Sequence, residues 1–368
     1  MRVLGLAYYG SWAASTRVRL IQYQEPLRHL GINLEIRSLL GDWYRSRRHQ
    51  GSSVRALASP RLAVAVIQRA LSGLEARRFD KLILAREFLP FMPARLERAF
   101  LSRPVIYDLD DARFLLYRHK GPTPRLPFMA HKIDGLIQRA EAVVAGSEYL
   151  ASYTKSLNGA TTVIPSVVDT ERYRVAPRVN KDHVVIGWIG SPATEHYLAV
   201  LAAPLAHLAR HAKIRLRVVG GRAPVIPGVV TEEVMWSERD EIALIQSFDV
   251  GVMPLTDDPW SRGKCAFKLI QCMACGVPVV ASPVGANNEV VTAQCGILAD
   301  GDSAWLDALE RLVADESLRR SMGRACRERV EQHYSLAVAA PRLAAVLTGT
   351  AAGQSPVGPR AGPVASKA

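Results

Sequence analysis

The stretch Gly263–Asn288 (GKCAFKLIQCMACGVPVVASPVGANN) gathers the residues best suited to chemistry in this chain. Lys264, Lys268, Gln271 and Cys275 follow one another at intervals of four, three and four residues. On a helix starting near Lys264, with about 100° of rotation per residue, they fall within about 60° of one another. Two ammonium groups and an amide on one stripe suit an anion. Ala266, Ile270, Met273 and Ala274 occupy the opposite side, a core face. Gly276 stands where a helix C-terminus belongs, and Pro278 prevents continuation. Ser261-Arg262-Gly263 adds a turn and a third cation at the helix start, where free backbone N–H groups favour phosphate. The alternative for two lysines is a solvated helix face. Arg262, the glycine and the immediate return into a buried strand favour the anion site.

Other candidates are more scattered. Cys272-x-x-Cys275, with Cys265 nearby, invites a metal or redox role, but a structural zinc site needs four ligands and no second pair or His pair stands at ligand spacing. Free buried thiols account for them better. Five cysteines, an odd number without a leader sequence, fit reduced thiols in the cytoplasm. Trp236 could stack on a nucleotide base or simply end a strand, and Glu238 and Glu241 after it could cap a helix or touch a ribose. In the first half, Gly10 and Ser11 follow the first strand, where small residues permit close approach of a substrate. Arg17 and Arg19 then open a helix. Asp108 and Asp110 follow another strand and could contact sugar hydroxyls or cap a helix. His119 is a lone candidate for a cleft or a surface loop.

The elements that must hold these residues are short apolar runs alternating with amphipathic stretches. Strands are expected at Arg2–Tyr9, Lys81–Ala85, Val105–Leu109, Ala142–Ala145, Thr162–Ile164, Val184–Ile189, Ile214–Val219, Val250–Pro254, Pro278–Ala281 and Gly296–Leu298. Helical patterns lie between them at Arg17–Leu30, Pro192–His211 and Asp240–Ser247. This alternation predicts parallel α/β sheets covered on both faces. The pattern restarts near Val184, after a polar stretch. Two doubly wound domains, 1–178 and 179–348, are therefore expected to face each other across a cleft, with ligands beyond the carboxyl ends of the strands. Residues 349–368 are rich in Gly, Pro, Ala and Ser and read as a disordered tail.

Composition narrows the function. With 368 residues, 49% of them hydrophobic, the chain can build packed cores, which excludes disorder, collagen and coiled coil. The longest uncharged run, Leu269–Asn288, is broken by Gly276, Pro278, Pro283 and Gly285, so no membrane-spanning helix is expected. The net charge of +13 comes entirely from residues 1–180, which hold 28 basic and 15 acidic residues. One half should therefore meet an anionic partner. No helix-turn-helix, aromatic RNA-binding motif or paired zinc motif points to nucleic acid.

FKLIQCMACGVPVVASPVGANNEVV resembles the donor-binding signature of GT-B glycosyltransferases of the GT4 type (glycosyl transferases group 1), E-(A/Y)-M-A-x-G-x-P-V-V-A-(S/T). Met273, Ala274, Gly276, Pro278, Val279, Val280, Ala281, Ser282, Gly285 and Glu289 match it. Val184–Ser191 resembles the first strand and glycine turn of the donor domain, and Val163–Asp169 the stretch before the interdomain linker. Phe248–Leu255 resembles the strand before the signature.

The resemblance implies a GT-B fold of two Rossmann-like domains and retaining, metal-independent transfer from a nucleotide-diphosphate sugar to an acceptor hydroxyl, with no cofactor. Lys264 and Lys268 would be the catalytic cations. Gly190, Ser191, Trp236, Arg262, Gly263, Phe267, Gln271 and Glu289 would line the donor site. Gly10, Ser11, Arg17, Asp108, Asp110 and His119 would face the acceptor. Asp108-x-Asp110 also resembles the metal-holding D-x-D of the other large glycosyltransferase fold, but the GT-B resemblance argues against a metal there. Two departures stand out, because the family's acidic pair, eight positions apart, falls on Gly263 and Gln271. Gln271 can still bond a ribose, whereas Gly263 cannot replace a sugar-binding carboxylate. The basic half would meet a glycan, lipid-linked or other anionic acceptor, with peripheral contact to an anionic membrane from the cytoplasm. A sugar-nucleotide epimerase, an inactive binding homologue and a basic membrane- or nucleic-acid-binding protein are the alternatives.

Overall fold

The structure, a computed structural model, describes residues 1–42, 60–90, 92–118, 129–177 and 181–350. His119 and the part of the expected tail from residue 351 lie outside the described residues. Six strands form the first sheet: β1 (Arg2–Tyr9), β2 (Asn33–Leu40), β3 (Lys81–Ala85), β4 (Val105–Leu109), β5 (Ala142–Ala145) and β6 (Thr161–Val163). Six more form the second: β7 (Val184–Ile189), β8 (Ile214–Val219), β9 (Val230–Val234), β10 (Val250–Met253), β11 (Val279–Ala281) and β12 (Gly296–Leu298). The strand orders are β2-β1-β3-β4-β5-β6 and β12-β11-β10-β7-β8-β9, and every pairing is parallel. Both orders reverse direction once, between β1 and β3 and between β7 and β10. Those are the switch points where an open α/β sheet leaves a crevice for a ligand.

The helices used below are α1 (Ala14–Arg19), α2 (Pro60–Glu75), α3 (Glu148–Lys155), α4 (Ala202–Leu208), α5 (Phe267–Ala274), α6 (Gly301–Ala314) and α7 (Leu336–Thr348). Successive strand residues point to opposite faces, and each face of each sheet is buried. In the first sheet Leu4, Leu6, Leu82 and Leu84 belong to one core, while Val3, Ala7, Ile83 and Ile106 belong to another. That second core is completed by Leu336, Ala339, Leu343 and Leu347 of α7, so the last helix returns to the first sheet. The returning chain lies beside the outgoing one: Val168 N donates to Tyr334 O at 3.0 Å, and Leu336 N donates to Val168 O at 2.8 Å.

Three expectations are corrected. Strands β2 and β9 were not anticipated. The helical pattern at Arg17–Leu30 breaks at Leu20, whose φ of −131° is not helical, and resumes as Gln24–His29 after a short 3-10 turn. The pattern at Pro192–His211 opens as a 3-10 stretch, Pro192–Leu201, before α4 begins.

Candidate active site

The cleft is built where the carboxyl ends of the two sheets meet. On the second sheet, β7 ends in Gly190-Ser191, and the chain enters the 3-10 stretch at Pro192. A Cβ on Gly190 would lie 2.2 Å from the Trp188 ring and 2.7 Å from Lys268 Nζ, so only glycine fits. Facing this turn is α5, which starts at Phe267 rather than near Lys264. Ala266 just before it holds a left-handed φ of +51°, a conformation that costs a non-glycine residue of order 1–3 kcal/mol. Strain of this kind persists only where the surroundings dictate it, and here Ala266 is buried. No side chain caps the N-terminus of α5. Gly276, with φ +70°, follows its C-terminus, as the spacing predicts.

Because α5 begins three residues late, the proposed stripe does not form. Lys264 precedes the helix and lies between the rings of Tyr197 and Trp260, at 5.9 and 5.8 Å from their centroids. The helix is also buried on more sides than expected, since Leu269, Gln271 and Cys272 are enclosed along with Ile270, Met273 and Ala274. Phe267 is half-buried against the core of the second domain. All five cysteines are buried and none is joined in a disulfide.

Lys268 keeps its place in the cleft. Its Nζ donates to Thr194 Oγ1 at 3.2 Å and sits 4.2 Å from the centroid of Trp188. Among the described residues no carboxylate pairs with it. Burial, reinforced by the Lys264 charge, pulls its pKa down to about 7. A half-buried lysine held by a hydroxyl and a π face, beside an uncapped helix start and a glycine turn, suits an anion that would restore its charge.

Most of the other candidates are committed elsewhere. Arg262 ends the short helix Pro259–Arg262 and is exposed there, bonded to both oxygens of Asp257 at 2.6 and 2.9 Å. Gln271 is buried and donates to Tyr173 OH at 2.9 Å, and Tyr173 OH donates to Glu241. Trp236 Nε1 donates to Glu241 at 2.7 Å. Its ring is covered by the Arg17 guanidinium at 4.9 Å, so that face is not open to a base. Glu241 therefore neither caps its helix by side chain nor faces outward. Arg17, expected on the acceptor side, reaches across the cleft, with Glu238 and Glu241 each 3.7 Å away. Glu289 also spans the domains, accepting from Glu148 N at the start of α3 at 3.2 Å. Burial raises its pKa.

In the first domain, Asp108 is withdrawn from any sugar. It is buried and bonded to Arg19 through Nε, at 3.1 Å to each oxygen, and through Nη2 at 2.5 Å. Gly10 and Ser11 form a tight turn around Asp42. Ser11 Oγ and Trp12 N both donate to its carboxylate at 2.8 Å, and a Cβ on Gly10 would collide with it. Asp110 remains beside the cleft, 3.9 Å from Arg86 Nε. Arg86, with φ +79°, is the second non-glycine residue at positive φ among those described. It hydrogen-bonds Ser15 Oγ at 3.3 Å and lies over Tyr9. Sequence reasoning missed Thr194, Asp42, Tyr173 and Arg86. Only Arg86 stood at a recognisable place, immediately after a predicted strand.

The absent acidic residue at Gly263 has a steric reason. A Cβ there would stand 2.4 Å from Ala112 Cβ and 2.9 Å from Ala112 N of the opposite domain. The loop Asp110–Ala112 fills the space such a side chain would need, and Cys265 Sγ donates to Asp110 O at 3.1 Å just beyond it.

Residues 183–315 match the family described as glycosyl transferases group 1. A D-inositol 3-phosphate glycosyltransferase of Paenarthrobacter aurescens is 43% identical over 82 residues, 22% of this chain and 19% of that protein. One from Corynebacterium diphtheriae is 35% identical over 108 residues, 28% of this chain and 24% of the relative. The chain thus matches about a fifth to a quarter of the length of these curated relatives. Among solved structures, sucrose-phosphate synthase from Thermosynechococcus elongatus superposes with a TM-score of 0.71 at 15% identity, over 95% of this chain and 99% of that one. HepE of Anabaena, in complex with UDP and glucose, gives 0.68 at 14% identity, over 95% and 100%. The fold is that of the GT-B proteins, as the sequence pattern implied.

Proposed function

We propose that this chain, whose residues 183–315 match the group 1 glycosyl transferases, moves a sugar from a nucleotide-diphosphate sugar to an acceptor hydroxyl. The observation that carries the reading is the half-buried Lys268, with no carboxylate partner among the described residues, facing the Gly190 turn at a sheet switch point. The donor diphosphate belongs between them, against the uncapped start of α5. The bond from the sugar's anomeric carbon to the phosphate oxygen breaks, and the acceptor oxygen bonds to that carbon. The acceptor proton passes to the departing phosphate oxygen, with retention of configuration. Lys268, with Lys264 at longer range, stabilises the charge that grows on the leaving group, so the step is read as metal-independent. HepE is described with UDP and UDP-glucose, which makes UDP-sugars the first donors to try.

The acceptor approaches the first domain near Arg86 and Asp110. An anionic acceptor suits the +13 carried by residues 1–180, and the D-inositol 3-phosphate of the named relatives is one example of that chemistry. A glycan or lipid-linked acceptor at the cytoplasmic face of a membrane fits a further feature. Helix α2 buries Ala65, Arg69, Ser72 and Gly73 but turns Val64, Ile67, Leu71 and Leu74 outward, each 51–60% exposed. At helical spacing these four form a stripe opposite the buried side. Exposed arginines at 61, 77, 78 and 95 accompany it. An apolar stripe with basic neighbours fits the surface of an anionic bilayer. Among the described residues no helix is long and apolar enough to cross one.

The deciding experiment incubates the protein with UDP-, GDP- and ADP-sugars and an acceptor extract. Transfer should be seen, and Lys268→Ala should lower turnover at least about a hundredfold. Conversion of donor without acceptor would indicate an epimerase. Unchanged turnover in the variant would overturn the assignment of Lys268.

A further inference from the structure

Away from the cleft, His207, His211 and Glu310 bring two imidazole nitrogens and a carboxylate oxygen within 4.8 Å of one another. We propose that these three side chains form a binding site for a late transition-metal ion such as Zn²⁺, at the amino-terminal edge of the second sheet and separate from the transfer chemistry.

The placement follows from the fold. His207 lies in the last turn of α4, and His211 follows four residues later in the turn that leads to β8. Residues four apart at a helix end share a side, and their ring centroids are 5.8 Å apart. Glu310 comes from α6, which packs on α4. His211 Nε2 is 3.1 Å from Glu310 Oε1. The expectation that no His pair stands at ligand spacing is corrected here: His207 and His211, with three residues between them, are such a pair, and the third donor arrives from 99 residues away.

Chemistry selects the ion. Two imidazoles and a carboxylate suit zinc, copper or nickel rather than the all-oxygen shells of magnesium and calcium. Zinc to nitrogen or oxygen distances near 2.0–2.2 Å place tetrahedral donors about 3.3 Å apart. The three donors must therefore close by about 1.5 Å at most, within the reach of side-chain rotation. Both histidines are exposed and Glu310 is half-exposed, so rotation is unhindered. Three protein ligands leave the fourth position to water or another donor. His211 and Glu310 also line a hollow of about 790 Å³ whose rim carries both Lys181, Lys213 and Arg320 and the acids Asp182, Asp249 and Glu316, so that fourth position opens onto a polar hollow of mixed charge. The hollow also receives Val184 and Asp249, which stand where β7 and β10 begin. The Gly190 turn is at the other end of β7. A metal here bridges α4 and α6 and acts on stability, not on the leaving group.

The test uses the full chain, stripped with a chelator and titrated with ZnCl₂ by calorimetry and thermal melting. One equivalent should bind, and Tm should rise with zinc, because an ion that binds only the folded chain stabilises it. The ligands are at the surface, so His211→Ala and Glu310→Gln should fold normally yet bind zinc at least about tenfold more weakly. A His207→Ala/His211→Ala double variant should lose the zinc-dependent rise in Tm. Undiminished affinity and melting shift in that double variant, or no saturable zinc binding by the unaltered chain, would overturn the proposal.

Discussion

Lys268 shows how one side chain can be costly to the fold and useful to the site. An unfolded chain gives a lysine its ordinary pKa near 10.4, whereas burial beside Trp188, with the Lys264 charge nearby, holds this one at about 7. The unfolded state therefore binds more protons between those values, and stability rises as pH climbs from about 7 to about 10. A bound diphosphate reverses the preference by supplying the missing counter-charge. Donor or UDP binding at about pH 8 should then take up a proton, read by calorimetry in buffers of different ionisation heat. Uptake should vanish in Lys268→Ala; equal uptake in both proteins would place the linked proton elsewhere. At this scale the sequence singled out Lys268 as a candidate but gave no sign of which partners its neighbours would find. Gln271 is claimed by Tyr173 from 98 residues away, and Asp108 by Arg19 from 89. A motif fixes which residue stands at a position, not which distant partner reaches it first.

At the scale of elements, the central strands were legible because burial on both faces strongly favours Val, Ile, Leu and Ala in them. The two missed strands, β2 and β9, are sheet edges. They carry Glu35, Arg37, Glu232 and Glu233, which pair or bond with nearby groups instead of packing. Edge strands read like loops for that reason. The late start of α5 was illegible too, since it depends on the left-handed Ala266, whose residue type gives no warning. Its consequence is the tight apposition of Gly263 with Ala112. Gly263→Glu, which restores the acidic residue of the family pattern, should wedge the domains apart whatever rotamer it takes, because the clash begins at Cβ and reaches the Ala112 backbone. Small-angle scattering should report a larger radius of gyration, with turnover lowered about a hundredfold by the misplaced cleft. Unchanged scattering and turnover would show that the loop Asp110–Ala112 yields.

For the whole molecule, the uneven charge becomes directional once the fold is known. The second domain has a net charge near zero, while the first carries the excess and the outward stripe of α2. Each arginine near an anionic surface contributes about 1 kcal/mol, and four exposed apolar side chains add the hydrophobic share. Flotation with vesicles of phosphatidylglycerol and phosphatidylcholine should recover the protein at low salt. Ile67→Glu/Leu71→Glu should abolish recovery without lowering transfer to a water-soluble acceptor. Retained flotation in that variant would move the contact off α2, and no flotation of the native chain would remove membrane docking from the reading.

The return of α7 to the first sheet governs how the cleft can work. Two lengths of chain cross between the domains side by side, at Val168 and at Ser335, and they are bridged to each other. A single tether would let the halves tumble freely. A pair of adjacent, bridged crossings confines any turning of one half against the other to the line through both, as two pins confine a door. Any such turning would have to part the Arg17 and Glu289 contacts, each of which reaches over to the opposite half.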